Sequence, residues 1–192
     1  MDTTQGTNEA AMVCMARAGD REALRRLLER NWRWLGGLVW NLVGSDHDTD
    51  DVLQNVCVQV IGRIGQLREP ERFRSWLAAI ARNEALRWRK DRRHMAVRLD
   101  ERAAEQAEAA APAAVEQVVA DEEAARMHWA IGQLPEKYRE AFVLAYSDDL
   151  THAQIGEILD VPVTTVQIRL VRARRMIHDL ITTGISERIP RT

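Results

Sequence analysis

Between Phe73 and Arg93 the chain reads FRSWLAAIARNEALRWRKDRR, and residues 82–93 hold six basic side chains against two acids. Trp76 and Trp88 lie in the same stretch as Arg82, Arg87 and Arg89. Rings beside guanidinium groups suit unpaired nucleic acid: bases stack on the rings, worth about 1–3 kcal/mol per base, while the cations hold phosphates. Packing competes for the same residues. Trp76 stands three residues after Phe73 and beside Leu77, so it reads first as core; Trp88, in the more basic part, is the more open of the two.

A second constellation follows Pro162. Gln167, Arg169, Arg172, Arg174 and Arg175 fall on one segment, and no acid occurs from Val161 to His178. The preceding residues explain how such a segment is presented. Thr151 with Gln154 three residues on has capping-box spacing, and Ile155, Ile158 and Leu159 give a short helix its buried face. Pro162 cannot continue that helix. The next helix is expected to be capped by Thr164 or Thr165 and to turn Val166, Leu170, Ala173 and Ile177 inward. Two short helices, a tight turn and a basic second helix form the helix-turn-helix pattern, in which the second helix enters the major groove of duplex DNA.

The elements that position these residues all read as helices. Residues 20–43 open at Asp20, a candidate N-cap, and place Leu24, Leu27, Leu28, Leu35, Leu38 and Leu42 at helical spacing. Another helix, capped near Asp48 or Thr49, carries Val52, Val56, Val60 and Ile64 at intervals of four; a strand would alternate instead. Phe73, Trp76, Leu77, Ile80 and Ala81 form a further apolar stripe. Pro135 suits the first turn of a helix through Tyr138, Phe142, Val143 and Tyr146. The composition changes over residues 96–123, which hold eight acids, two arginines and an Ala/Glu-rich run. The expected architecture is all-α: an N-terminal helical domain (10–95), a flexible acidic linker (96–123) and a C-terminal helix-turn-helix domain (124–183).

The 192 residues carry a net charge of only −2, so nucleic-acid binding must rest on uneven charge rather than on the total. No apolar run reaches the roughly 20 residues that span a bilayer. The first residues lack the basic and apolar segments of a secretory signal, so no membrane insertion and a cytoplasmic location are expected. Cys14 and Cys57 read as small apolar residues in a reducing compartment. The run SDHDTDD resembles a calcium loop, but Asp51 stands where glycine should and Cys57 where glutamate should. It reads instead as helix-capping acid. No His or Cys spacing suits zinc, and no phosphate loop or nucleophile elbow occurs; the expectation is no cofactor, no metal and no catalytic site.

Several segments in order resemble the extracytoplasmic-function group of bacterial sigma factors: GDREALRRLLERNWRWL, DDVLQNVCVQVI, FRSWLAAIARNEA and the stretch from LPEKYREAF to RARRMI. The resemblance implies a non-enzymatic subunit that binds core RNA polymerase and promoter DNA and is held by an anti-sigma factor. It implies a polymerase-binding helix at Asp51, Val52, Gln54 and Asn55. It also implies a minus-ten surface at Trp76, Arg82, Asn83, Arg87, Trp88 and Arg89, and a minus-thirty-five surface at Thr164, Thr165, Gln167, Ile168, Arg169 and Arg172. The acidic linker would follow the polymerase's RNA exit path. Arg87, Thr164, Gln167 and Ile168 depart from the group's usual Asp, Gly, Lys and Ser, and Cys57 from its Phe, which leaves the promoter sequence open. The alternative is an autonomous helix-turn-helix regulator, which the acidic segment and the N-terminal domain fit poorly.

Overall fold

The computed structural model describes residues 3–100, 119–146 and 150–186, with side chains over 8–92, 124–146 and 150–182. Among these residues there are helices and turns but no strand. The N-terminal lobe comprises α1 (Thr3–Arg17), α2 (Arg21–Val43), α3 (Asp46–Arg63), two short 3-10 turns and α4 (Phe73–Asp100). The C-terminal lobe comprises α5 (Val119–Gln133), α6 (Glu136–Tyr146), α7 (His152–Leu159) and α8 (Val163–Ser186). Both α4 and α5 overrun the expected limits of the acidic segment, whose residues 101–118 lie outside the described residues.

α2 is the spine of the first lobe. Asp20 caps it as its chemistry suggests: Oδ1 accepts from the amides of Glu22 (2.9 Å) and Ala23 (3.0 Å). The helix stops at Gly44, whose φ of 87° is a left-handed conformation that glycine adopts at least cost. Its apolar face buries Leu27, Leu35, Leu38 and Leu42 against α3 and α4, where Val52, Val56, Val60, Phe73 and Leu77 are also buried. Asn31 is fully buried within this face. Its amide donates to the Leu27 carbonyl (2.9 Å) and to Glu9 (3.1 Å), while its oxygen accepts from Arg74 (3.2 Å). One polar side chain thus ties α1, α2 and α4 together with its donors and acceptor satisfied.

Two helix starts differ from expectation. α3 begins at Asp46 with Ser45 at the cap position, so Asp48 and Thr49 lie inside the first turn. Thr49 returns its hydroxyl to the Ser45 carbonyl (2.7 Å), and Asp48 pairs with Arg92 of α4. Those tertiary and backbone partners outweigh the capping preference of the two side chains. α8 begins at Val163, which puts Thr164 and Thr165 inside its first turn. The Pro162 carbonyl accepts the opening bonds from Thr165 (2.9 Å) and Val166 (3.2 Å), and proline's fixed φ suits that position.

The turn between α7 and α8 is built by close approach. Thr151 and Gln154 make the capping box. Asp160, with φ of 53°, ends α7 in a left-handed conformation, and the Val161 amide returns to the Gly156 carbonyl at 2.9 Å. A Cβ on Gly156 would sit 2.8 Å from the Val161 carbonyl oxygen. A branched side chain therefore cannot be placed without moving the turn. Gly156→Val is expected to destabilise the C-terminal lobe by about 2–3 kcal/mol, measured by chemical denaturation followed through helix content.

Candidate promoter and polymerase interface

Three exposed helix faces emerge from this packing. On α3, Asp51, Gln54 and Asn55 point to solvent. Val52 does not: it is fully buried, four residues before buried Val56. This corrects its expected place on the polymerase-binding face, because one side chain cannot serve the core stripe and the outer stripe of the same helix. Two residues missed in the sequence belong on the outer stripe. Val58 and Ile61 are 66% and 60% exposed, three and seven residues on from Asn55 and Gln54. Beside them Trp32, Leu28 and Cys57 line a shallow apolar hollow between α2 and α3. Partial burial pushes the Cys57 thiol above its ordinary range, so it stays protonated and apolar. The signal for Val58 and Ile61 was available: they are aliphatic residues outside the Val52, Val56, Val60 stripe.

α4 divides the expected minus-ten residues into two sets. Asn83 and Arg87 face solvent on one stripe, joined by Lys90, a cation that the family's motif does not mark. Arg87 lies 4.0 Å from Asp91 one turn on, a long and exposed pair of little strength. Arg82 and Arg89 form another stripe that faces the C-terminal lobe. Arg82 donates to Glu140 of α6 through Nε (2.7 Å) and Nη2 (2.6 Å), and Arg89 Nη1 lies 3.4 Å from Glu136, one turn earlier on α6. Glu140 is buried, and the side chain of Arg82 is only 19% exposed.

The tryptophans are less available than a stacking platform would need. Trp76 is half-buried with its ring centroid 6.1 Å from that of Phe73, and Trp88 is half-buried under the Arg92 guanidinium, 4.9 Å from its ring centroid. The lobes also meet where His128 of α5 packs edge-on against Trp40 of α2, centroids 4.3 Å apart. Its partial burial holds the imidazole below the ordinary histidine range and favours the neutral ring.

α8 presents its outer face away from both lobes' cores. Thr164, Gln167, Ile168, Arg172, Arg174 and Arg175 are exposed, whereas Thr165 and Arg169 are half-buried. Arg172 donates to the Tyr138 hydroxyl of α6 (3.3 Å) and draws that phenol below its usual range. A cationic helix behind a tight turn, with an exposed outer side, has the shape and charge of a duplex-reading helix.

With this geometry in place, comparison identifies the class. Residues 27–95 match the model for sigma-70 region 2 and residues 125–177 that for sigma-70 region 4, so the chain belongs to the sigma-70 family. ECF RNA polymerase sigma factor SigW of Bacillus subtilis is 29% identical over 178 residues, covering 86% of this chain and 92% of SigW. Within the family the chain is an extracytoplasmic-function sigma factor, an alternative sigma factor that directs promoter-specific transcription. The fold agrees with that of CnrH, solved in complex with the cytosolic domain of CnrY. Its TM-score is 0.68 and its identity 22%, over 91% of this chain and 97% of that one. It agrees also with sigma factor RpoE of Bartonella quintana, solved with the anti-sigma factor NepR. There the TM-score is 0.66 and the identity 18%, over 83% and 96%.

Proposed function

We propose that this sigma factor binds core polymerase through the outer stripe of α3, reads and helps melt the minus-ten element with α4, and reads the minus-thirty-five duplex with α8. The observation that carries this reading is the placement of two exposed polar and cationic stripes on separate lobes. Asn83, Arg87 and Lys90 lie on one; Thr164, Gln167, Arg172 and Arg175 lie on the other. The polymerase performs the chemistry, and this chain supplies recognition without a catalytic group of its own. It works where the polymerase is, in the cytoplasm, and among the described residues no helix is long and apolar enough to cross a membrane. An anti-sigma factor, like the one in complex with the Bartonella protein, holds the chain until its signal arrives.

The two lobes must part for this work. Promoter elements about 25 base pairs apart lie about 85 Å apart at roughly 3.4 Å per pair. Arg82 and Glu140, on opposite lobes, are 2.6 Å apart. Removing the charge of Glu140 leaves Arg82 without its carboxylate in a mostly covered site. Glu140→Gln is therefore expected to weaken the closed arrangement by about 2 kcal/mol, less than a fully buried pair would give. Energy transfer between dyes on α3 and α7 reads this as a larger open fraction; an unchanged distance distribution would remove the pair from the account.

The site assignments are tested by placing a photocrosslinker at position 87 or at position 175 in the polymerase holoenzyme on promoter DNA. Position 87 should label the minus-ten strand and position 175 the minus-thirty-five duplex. Exchange of the two patterns, or absence of both, would overturn them.

A further inference from the structure

The residues of α8 that depart from the group's pattern lie together on its outer face. Ile168 is 53% exposed and Val171 is 65% exposed, although the same helix buries Val166, Leu170, Ala173 and Ile177. At about 100° per residue, Ile168 lies nearly opposite the buried stripe, with Thr164 one turn before it and Arg175 two turns after. Val171 is adjacent, about 4.5 Å further along the axis. Gln167 flanks them, and its amide makes no hydrogen bond among the described residues. Two branched aliphatic side chains in water, beside the exposed Arg172, Arg174 and Arg175, mark a contact surface whose occupant is both anionic and locally apolar.

Duplex DNA has one major-groove feature of that kind, the thymine 5-methyl group. The amide of glutamine suits the N6 and N7 edge of adenine, while neither isoleucine nor valine can bond the guanine edge that arginine or lysine would take. We infer that the face formed by Gln167, Ile168 and Val171 reads A·T pairs in the minus-thirty-five element. Gln167 meets an adenine, and Ile168 and Val171 close over thymine methyl groups while the neighbouring arginines hold phosphates. The inference deepens the minus-thirty-five assignment of α8 and rests on it. The lobes' mutual contact leaves this face open, since its residues remain exposed while α4 and α6 are paired.

The test uses the full chain with core polymerase and a promoter library randomised across the minus-thirty-five element. Duplexes that drive transcription are recovered, and each thymine in the recovered element is replaced singly by deoxyuridine, which lacks only the methyl. The expected result is one or two fixed A·T pairs at which deoxyuridine weakens holoenzyme binding about fourfold. In Ile168→Ala or Val171→Ala that penalty should fall to near unity at the matching pair, with the melting temperature unchanged because both positions are exposed. A recovered element without fixed A·T pairs overturns the inference; so does a parent chain indifferent to deoxyuridine, or a penalty that survives in both variants. If the chain instead supports no promoter-selective transcription at all, the minus-thirty-five reading itself fails.

Discussion

A chain carrying Gln54→Ala together with Ile61→Glu is expected to bind core polymerase at least about a hundredfold more weakly than the parent, equivalent to about 2.7 kcal/mol. Both side chains lie on the outer stripe of α3, and Ile61 is 60% exposed, so neither substitution opens the core. The stripe that includes Asp51, Gln54, Asn55, Val58 and Ile61 combines polar ends with exposed aliphatic groups. Exposed aliphatics of this kind become a well-packed contact centre when a partner covers them. A carboxylate at 61 would then be desolvated without a partner, which is the costlier half of the double change. Fluorescence anisotropy of the labelled chain titrated with core polymerase measures the loss. An affinity within threefold of the parent, with helix content and melting unchanged, would show that α3 is not the binding face.

Asn83→Ala is expected to lower the yield of open promoter complex by about tenfold to a hundredfold, with core binding unaltered. Its amide is exposed, and among the described residues its one side-chain hydrogen bond is long: Arg82 Nη1 stands 3.4 Å from Oδ1, beyond ordinary hydrogen-bond length. The group is thus available to a base edge, and a good side-chain contact to a base edge is worth about 1–3 kcal/mol. Permanganate reactivity of thymines in the minus-ten element reports the melted strand directly. A parallel loss of core affinity would argue that Asn83 supports the fold or the polymerase contact instead.

Helix chemistry that is local was legible in the sequence. Asp20 and the Thr151–Gln154 box cap as read because their partners lie within three residues. The apolar stripes of α2, α3 and α4 were legible because a face buried at intervals of three and four is periodic. α1 was not: TTQGTNEAAMVCMAR shows little segregation of apolar residues, and it contributes Val13 and Ala16 to the core only once α2 is there to cover them. The starts of α3 and α8 were misplaced because SDHDTD and PVTT each offer several capping groups. Arg92 and the Pro162 carbonyl, respectively, choose among them.

Of the candidate site, residue types were legible and orientation only partly so. Val52 stood on the buried stripe and on the polymerase face at once, which helical geometry forbids. The basic run around Arg82 points to DNA, but it does not show that Arg82 pairs with Glu140, 58 positions away, a distance over which no local pattern carries information. The exposure of Val58, Ile61 and Val171 follows from the helix period once the buried residues are known. Sequence alone leaves open whether an aliphatic side chain is core or contact surface.

The central claim is that this chain confers promoter selectivity on RNA polymerase. It is tested most directly by in vitro transcription of a randomised promoter library with core polymerase, with and without the purified chain, followed by sequencing of the transcripts. The account predicts a set of start sites seen only when the chain is present, sharing paired upstream elements near minus ten and minus thirty-five. Transcript profiles that are the same in its presence and absence would contradict it.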